Sequence, residues 1–292
     1  MAGDEMAVQE TWTTLKILSW TKDFLLSKGV VNARLEAEWL LCAAMGLDRV
    51  GLYLHYDKPL NDHELAVYRS MVARRARREP LQHILGSQEF CGLEYEVTAA
   101  VLIPRYDTEV LITEAVTRKP DAHSVLDIGT GSGCVAVTLQ KRLSNAVVTA
   151  TDISDAALEV ARRNADKYGA SIEFLLGSLF SPVAGRCFDL IVSNPPYIPT
   201  ADIEALDQEV RDYDPAVALD GGRDGLDIYR ALIPAAVGHL NRGGWLLVEI
   251  GIGQADDIVR LFQCSCGYDE PVIAHDPSGI ERVVGAQRKE KP

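Results

Sequence analysis

Five short apolar runs, at 125–128, 147–151, 172–175, 190–192 and 245–250, recur through the second half of the chain with helical stretches between them, the clearest at 155–168. Runs that are apolar at consecutive positions suit strands buried on both faces, and intervals long enough for a helix let such strands pair in parallel. The pattern predicts a parallel sheet covered by helices. Two further runs, 271–274 and 281–284, flank "HDPSGI", which is too short for a crossover helix, so this last pair is expected to be antiparallel.

The first part of the chain reads differently. From Thr13 to Arg78 the apolar residues fall at helical spacing (Leu15, Ile17, Leu18; Phe24, Leu25; Ala37, Trp39, Leu40, Leu41; Leu65, Val67, Met71, Val72), with Gly29, Gly46 and Pro59 as breaks. Between the halves, Phe90, Leu93, Tyr95 and Val97 alternate around Gly92 in the manner of a hairpin. We therefore expect a helical domain over residues 1–85, a hairpin linker over 86–104 and a catalytic domain over 105–292. A length of 292 residues accommodates two such unequal domains.

Charge separates the halves as well. Residues 1–86 carry 11 Lys+Arg and 11 Asp+Glu, so the net charge of −13 belongs to the remainder, with 18 basic against 31 acidic residues. A half this acidic repels a phosphate backbone, which points to a protein or small-molecule partner and to no direct nucleic acid. The basic run Arg74, Arg75, Arg77, Arg78 reads first as the solvated face of a helix and second as a docking patch for an acidic or RNA-bearing partner. No apolar run approaches a membrane span, and the start "MAGDEMAVQE" has acids where a signal peptide has bases, so a cytoplasmic protein is expected. The six cysteines and six histidines lack metal-ligand spacing, and no metal is expected.

Two motifs carry chemistry. "VLDIGTGSGCVAV" sets Asp127, Gly129, Thr130, Gly131, Ser132 and Gly133 after the first strand and at the start of a helix, where glycine admits a ligand to the backbone and the helix end offers free N–H groups. At the end of the next strand stands Asp152, placed to accept both hydroxyls of a ribose. A nicotinamide dinucleotide and S-adenosyl-L-methionine both suit such a site, although the third glycine comes one residue early for the dinucleotide pattern. The second motif is "DLIVSNPPYIP". Leu190–Ile191–Val192 reads as a central strand, and Pro195 and Pro196 cannot join a ladder, so Asn194, Pro195, Pro196 and Tyr197 sit at a strand's carboxyl end, the ligand-binding edge of an α/β sheet.

"DIGTGSG", Asp152 and "NPPY", in that order, resemble the class I S-adenosylmethionine-dependent methyltransferases that act on a planar nitrogen. With "EPLQHILGSQEFCGLEYEVTAAVLIPRYDTE" and "DPSGIERVV" included, essentially the whole chain resembles the HemK/PrmC family, the protein-glutamine methyltransferases that modify the Gly-Gly-Gln loop of peptide chain release factors. The resemblance implies a Rossmann-like, mostly parallel sheet with an antiparallel C-terminal strand plus a small N-terminal helical bundle that recognises the substrate. It implies release factors as the protein substrate; a monomer is expected. It also implies an adenine pocket near Ser178 and Leu179, where the family usually has an acid often followed by an aromatic residue, and a substrate mouth near Arg105 and Glu109. Tyr106 stands where the family usually has a proline.

An amide nitrogen is a poor nucleophile because its lone pair is delocalised into the carbonyl. On the implied chemistry, the Asn194 side-chain oxygen and the Pro195 carbonyl accept the two N–H hydrogens, and Tyr197 stacks on the amide plane; this is preorganisation rather than base catalysis. Asp107 and Glu109 are equally well explained as acids at a helix start. The Gly-rich segment 214–230 reads as a loop over the site or as an ordinary connector. Alternatives are glutamine methylation of a ribosomal protein, methylation of a flipped-out adenine in nucleic acid, and a non-catalytic binding module.

Overall fold

The computed structural model describes residues 12–290, and the chain divides between Leu85 and Gly86 into two compact units.

The first unit consists of helices α1 (Thr14–Ser27), α2 (Ala33–Met45), α3 (Arg49–Leu54), α4 (Asp62–Arg75) and α5 (Leu81–Leu85). Side chains cap the starts: Asp48 accepts from the Gly51 N–H, and Asn61 and Glu64 form a reciprocal capping box at α4. Ile17, Leu25, Leu40, Leu41, Leu52, Tyr68 and Val72 form the core, whereas Leu15 and Trp39, read from the spacing as core-facing, are exposed. The basic run at the end of α4 is a solvated face only in part, with Arg77 exposed. Arg75 is 2% exposed and pairs with Glu36, Arg74 pairs with Glu79, and the Arg78 guanidinium donates to the Gly29 carbonyl. These charges are used in joining α4 to its neighbours.

The second unit opens with a hairpin of β1 (Ser87–Phe90) and β2 (Leu93–Glu96). Phe90 and Tyr95 are fully buried in this unit's core, and Asn164 bonds the Glu96 backbone in both directions. The hairpin is thus built into the second unit rather than strung before it. A 3-10 turn, Tyr106–Thr108, leads into α6 (Glu109–Arg118). Then follow β3 (Ser124–Ile128), α7 (Cys134–Arg142), β4 (Val147–Asp152), α8 (Asp155–Lys167), β5 (Ile172–Leu176), β6 (Phe188–Ser193), α9 (Gln208–Tyr213), α10 (Asp227–Ala236), β7 (Leu240–Glu249), α11 (Ala255–Cys264), β8 (Val272–His275) and β9 (Glu281–Gln287).

The seven-stranded sheet has the order β5-β4-β3-β6-β7-β9-β8. The five strands β3 to β7 are mutually parallel, and β9 runs antiparallel to both β7 and β8, as the short "HDPSGI" connection requires. One face is packed by α6, α7 and the hairpin around Leu111, Val135 and Leu139; the other by α10 and α11 around Leu232, Ile233, Ile258 and Phe262. Chain order reverses between β3 and β6, which opens a crevice at their carboxyl ends. Among the described residues no helix is long and apolar enough to cross a membrane.

Candidate active site

The crevice holds a cavity of about 450 Å³. Its floor is the turn after β3. Gly129, Gly131 and Gly133 all have positive φ (75°, 54° and 79°), a region that disfavours any residue with a Cβ. At Gly133 space is decisive too, since a Cβ there would meet the Ala161 Cβ at 3.0 Å and its Cα at 3.1 Å. This close approach lets α7 start against α8.

Acids frame the turn. Asp152, at the end of β4, accepts the Gly131 N–H through Oδ2 and the Ser154 N–H through Oδ1, both at 2.9 Å. The carboxylate is thereby fixed facing the turn, and each oxygen retains a lone pair for a ligand. Asp127 is buried and accepts a 2.7 Å hydrogen bond from the Thr130 hydroxyl. Burial, reinforced by the charge of Asp152 and opposed by the Thr130 bond, raises its carboxyl to about 7.

The neighbouring strand supplies the second motif. Ile128 pairs with Ser193, so the glycine turn and Asn194 leave adjacent strands at the same level. Asn194 Nδ2 donates to the Thr108 hydroxyl at 3.1 Å, which leaves its Oδ1 available as an acceptor. Pro195 and Pro196 line the wall beyond it. Gly221 and Gly225 press against this backbone: a Cβ on Gly221 would lie 2.9 Å from the Pro196 carbonyl oxygen, and one on Gly225 would lie 2.2 Å from that of Tyr197. Mutual bonds between Ile198 N–H and Leu219 O, and between Gly221 N–H and Ile198 O, fasten the Gly-rich segment to the tetrapeptide.

Of the residues singled out in the sequence, Arg105, Asp127, Gly129, Thr130, Gly131, Ser132, Asp152, Ser178, Leu179, Asn194, Pro195 and Pro196 line this one cavity. Three do not. Gly133 lies behind it under Ala161. Tyr197 is half-buried among core side chains of the second unit, close to Gly251, with its carbonyl held by Gln254; burial raises its hydroxyl to about 12. Glu109 accepts the Cys91 N–H at 2.8 Å and so holds the hairpin turn rather than the cavity. Arg105 pairs at 2.6 Å with Asp214, whose side chain is 1% exposed and whose carboxyl is raised by burial against the lowering effect of Arg105.

The cavity is also lined by Ala100–Leu102, Pro104 and Thr108, and by Pro215–Ala218 of the segment read as a loop over the site or a connector. These residues carry no motif chemistry, and only the fold brings them to the crevice. Leu179 is a further surprise, holding φ at +49° in a left-handed turn that its residue type does not advertise.

Residues 16–86 match the PrmC N-terminal domain model, and residues 106–209 match the methyltransferase small domain model. A release factor glutamine methyltransferase from Geobacter sulfurreducens is 59% identical over 95% of this chain and 98% of its own length. One from Moorella thermoacetica is 43% identical over 91% and 95%. Among solved structures, a methyltransferase from Pyrococcus furiosus shares the fold with a TM-score of 0.53 at 20% identity, covering 74% of this chain and 98% of its own. An identity of 59% sustained across nearly the whole of both chains includes the helical unit as well as the sheet, and the chain belongs to the release factor glutamine methyltransferase family.

Proposed function

We propose that this protein transfers a methyl group from S-adenosyl-L-methionine to the side-chain amide nitrogen of the glutamine in the Gly-Gly-Gln loop of peptide chain release factors. The observation that carries the acceptor chemistry is the orientation of Asn194: its amide nitrogen is engaged by Thr108, so its oxygen is offered at the cavity wall next to the glycine turn.

The residues present fit the cofactor. The open glycine turn, the Asp152 carboxylate fixed by two backbone N–H groups, and the apolar side chains of Ile153 and Leu179 suit in turn a charged amino-acid tail, a ribose and a planar base. S-adenosyl-L-methionine supplies an electrophilic methyl on a sulfonium that departs as a neutral thioether. Asp152 would take the ribose hydroxyls, and the turn from Gly129 to Ser132 the polar tail. Asn194 Oδ1 and the Pro195 carbonyl would accept the hydrogens of the substrate amide, drawing positive charge onto them and aiming the nitrogen. As the nitrogen gains its new bond it gains charge, so these acceptors act more strongly in the transition state than before it. One N–H proton then leaves to solvent. Tyr197, set in the core, would anchor the tetrapeptide backbone.

The test is transfer of labelled methyl from S-adenosyl-L-methionine to purified release factor, ribosomal protein and DNA in parallel, with the modified residue mapped. Label on the release-factor glutamine is expected. Label only on ribosomal protein or on adenine would replace this reading with one of those activities.

A further inference from the structure

Behind Asn194, on the side away from the cavity, lies a carboxylic acid with no obvious occupation. Glu249, the last residue of β7, is 2% exposed, and its Oε2 is buried without a hydrogen-bond partner. A lone buried carboxylate oxygen is costly and calls for an explanation. The side chains of Thr108 and Asn194 stand beside this carboxylate and favour its ionised form. We propose that Glu249 is a positioning residue for methyl transfer, acting through Thr108 to hold the Asn194 amide with its nitrogen inward and its oxygen toward the substrate. This inference rests on the role given to Asn194 above.

The argument is one of donors and acceptors. Thr108 accepts the Asn194 Nδ2–H and must place its own hydroxyl hydrogen elsewhere. An ionised Glu249 can only accept, and its unpartnered Oε2 is the acceptor that this proposal offers to that hydrogen, so that the row would run in one direction: Asn194 to Thr108 to Glu249. A protonated Glu249 can donate as well as accept, so the row loses its fixed direction. When the acid donates to Thr108, the Thr108 hydrogen turns toward Asn194, and the amide is then held with its oxygen inward and its NH2 group facing the substrate N–H hydrogens. A donor would then oppose donors. The surroundings set when this happens: burial is the largest influence and raises the carboxyl to about 7, Thr108 lowers it, Asp107 raises it, and Arg282 and Asn194 lower it. Arg282 is shared between Asp107 and Asp276, each at 2.9 Å. Tyr229, from α10, donates to the Glu249 main-chain oxygen at 2.6 Å, and after burial the Glu249 charge is what most raises the hydroxyls of both Tyr229 and Tyr197. Asp107 immediately precedes Thr108, so its bond to Arg282 also ties the Thr108 turn to β9 next to β7.

Single-turnover methyl transfer to the full release factor, at saturating cofactor and substrate from pH 5.5 to 9, tests the inference. The native protein should show an acid limb near pH 7 approaching a tenfold loss per pH unit. Glu249→Gln, which cannot ionise, should flatten that limb and lower the plateau at least tenfold. Thr108→Val should do the same, and Thr108→Ser, which keeps the hydroxyl, should restore both limb and rate. Should Glu249→Gln fail to fold, the Thr108→Val and Thr108→Ser pair decides by the same limb. Asp127 also titrates near 7, so Asp127→Asn must keep the limb; its loss there would overturn the assignment. So would a native-like profile in Glu249→Gln or Thr108→Val. Asn194→Ala, run beside them, separates the two levels: native transfer by that variant would remove the acceptor reading itself, whereas a slow Asn194→Ala with unchanged Glu249→Gln would remove only the role of Glu249.

Discussion

At the scale of single residues, the proposed function divides the work between Asn194 for the acceptor and Asp152 for the cofactor. Replacing Asn194 by Ala deletes one preorganised acceptor, and transfer should slow roughly 10²-fold or more, the scale of one lost contact of this kind. Calorimetry should find cofactor affinity almost unchanged. Asp152→Ala should instead weaken cofactor binding by roughly 10- to 100-fold, as for charged hydrogen bonds worth about 1.5–3 kcal/mol; equal affinity in the two proteins would dismiss the ribose assignment. Asp127 makes a prediction about stability. Its folded-state carboxyl is raised to about 7, above the unfolded value near 3.9, so between those values the folded protein binds more protons than the unfolded one. Its contribution to stability therefore falls as pH rises through that window. Asp127→Asn removes the effect, and the Tm of this variant relative to native should rise between pH 5 and pH 8 in cofactor-free protein. A constant difference would mean that Asp127 does not titrate there. At this scale the sequence was informative where chemistry is written in residue type, as in the glycines, Asp152 and Asn194. It was silent on Thr108 and Glu249, which lie 86 and 55 positions from Asn194 in number and are brought near it only by the fold. Ser178 and Leu179 occupy the expected wall of the cavity, but nothing in their identity foretells the positive φ of Leu179.

At the scale of elements, apolar runs located every strand of the large sheet; burial on both faces leaves that mark in the central strands, while the edge strands β5 and β8 carry it though only partly buried. The runs understated some lengths: β7 begins at Leu240, through Asn241, Arg242 and two glycines that no apolar pattern would include. The helical unit was harder to read in detail, since a 3.6-residue period places Leu15 and Trp39 near the buried stripe without deciding which side of it they occupy. Arg75 shows the opposite failure, a charge inside where composition suggested a charge outside. The glycine turn offers a prediction at this scale. Gly133→Ala must tolerate a left-handed backbone and push Ala161 away, so α7 and α8 should separate slightly, with a loss of about 1–3 kcal/mol in urea unfolding. Gly129→Ala has similar φ but nothing within 4 Å of the added carbon and should lose less stability. Equal losses would show that the close approach of the two helices is unimportant.

At the scale of the molecule, two compact units with very different charge invite a division of labour, with the helical unit recognising the release factor and the sheet unit performing transfer. The intact enzyme should then methylate the full factor far more efficiently than a short Gly-Gly-Gln peptide, chiefly through KM; equal use of both would dismiss recognition by the helical unit. The buried aromatic pair in the hairpin sets where the chain can be cut. A chain beginning at residue 86 keeps Phe90 and Tyr95 in place, along with the bond between the Tyr95 and Thr138 hydroxyls at 2.8 Å, and should unfold cooperatively and still bind cofactor. A chain beginning at residue 105 lacks these core side chains and should fold poorly. The pairing of Ile128 with Ser193 has a larger consequence. The glycine turn and the Asn194 turn emerge from neighbouring strands, so their separation is set by the spacing of the sheet, about 4.8 Å, and not by any loop. A fold that fixes its two turns by backbone hydrogen bonds leaves the flanking walls, here 100–105 and 214–220, open to change without moving one turn against the other.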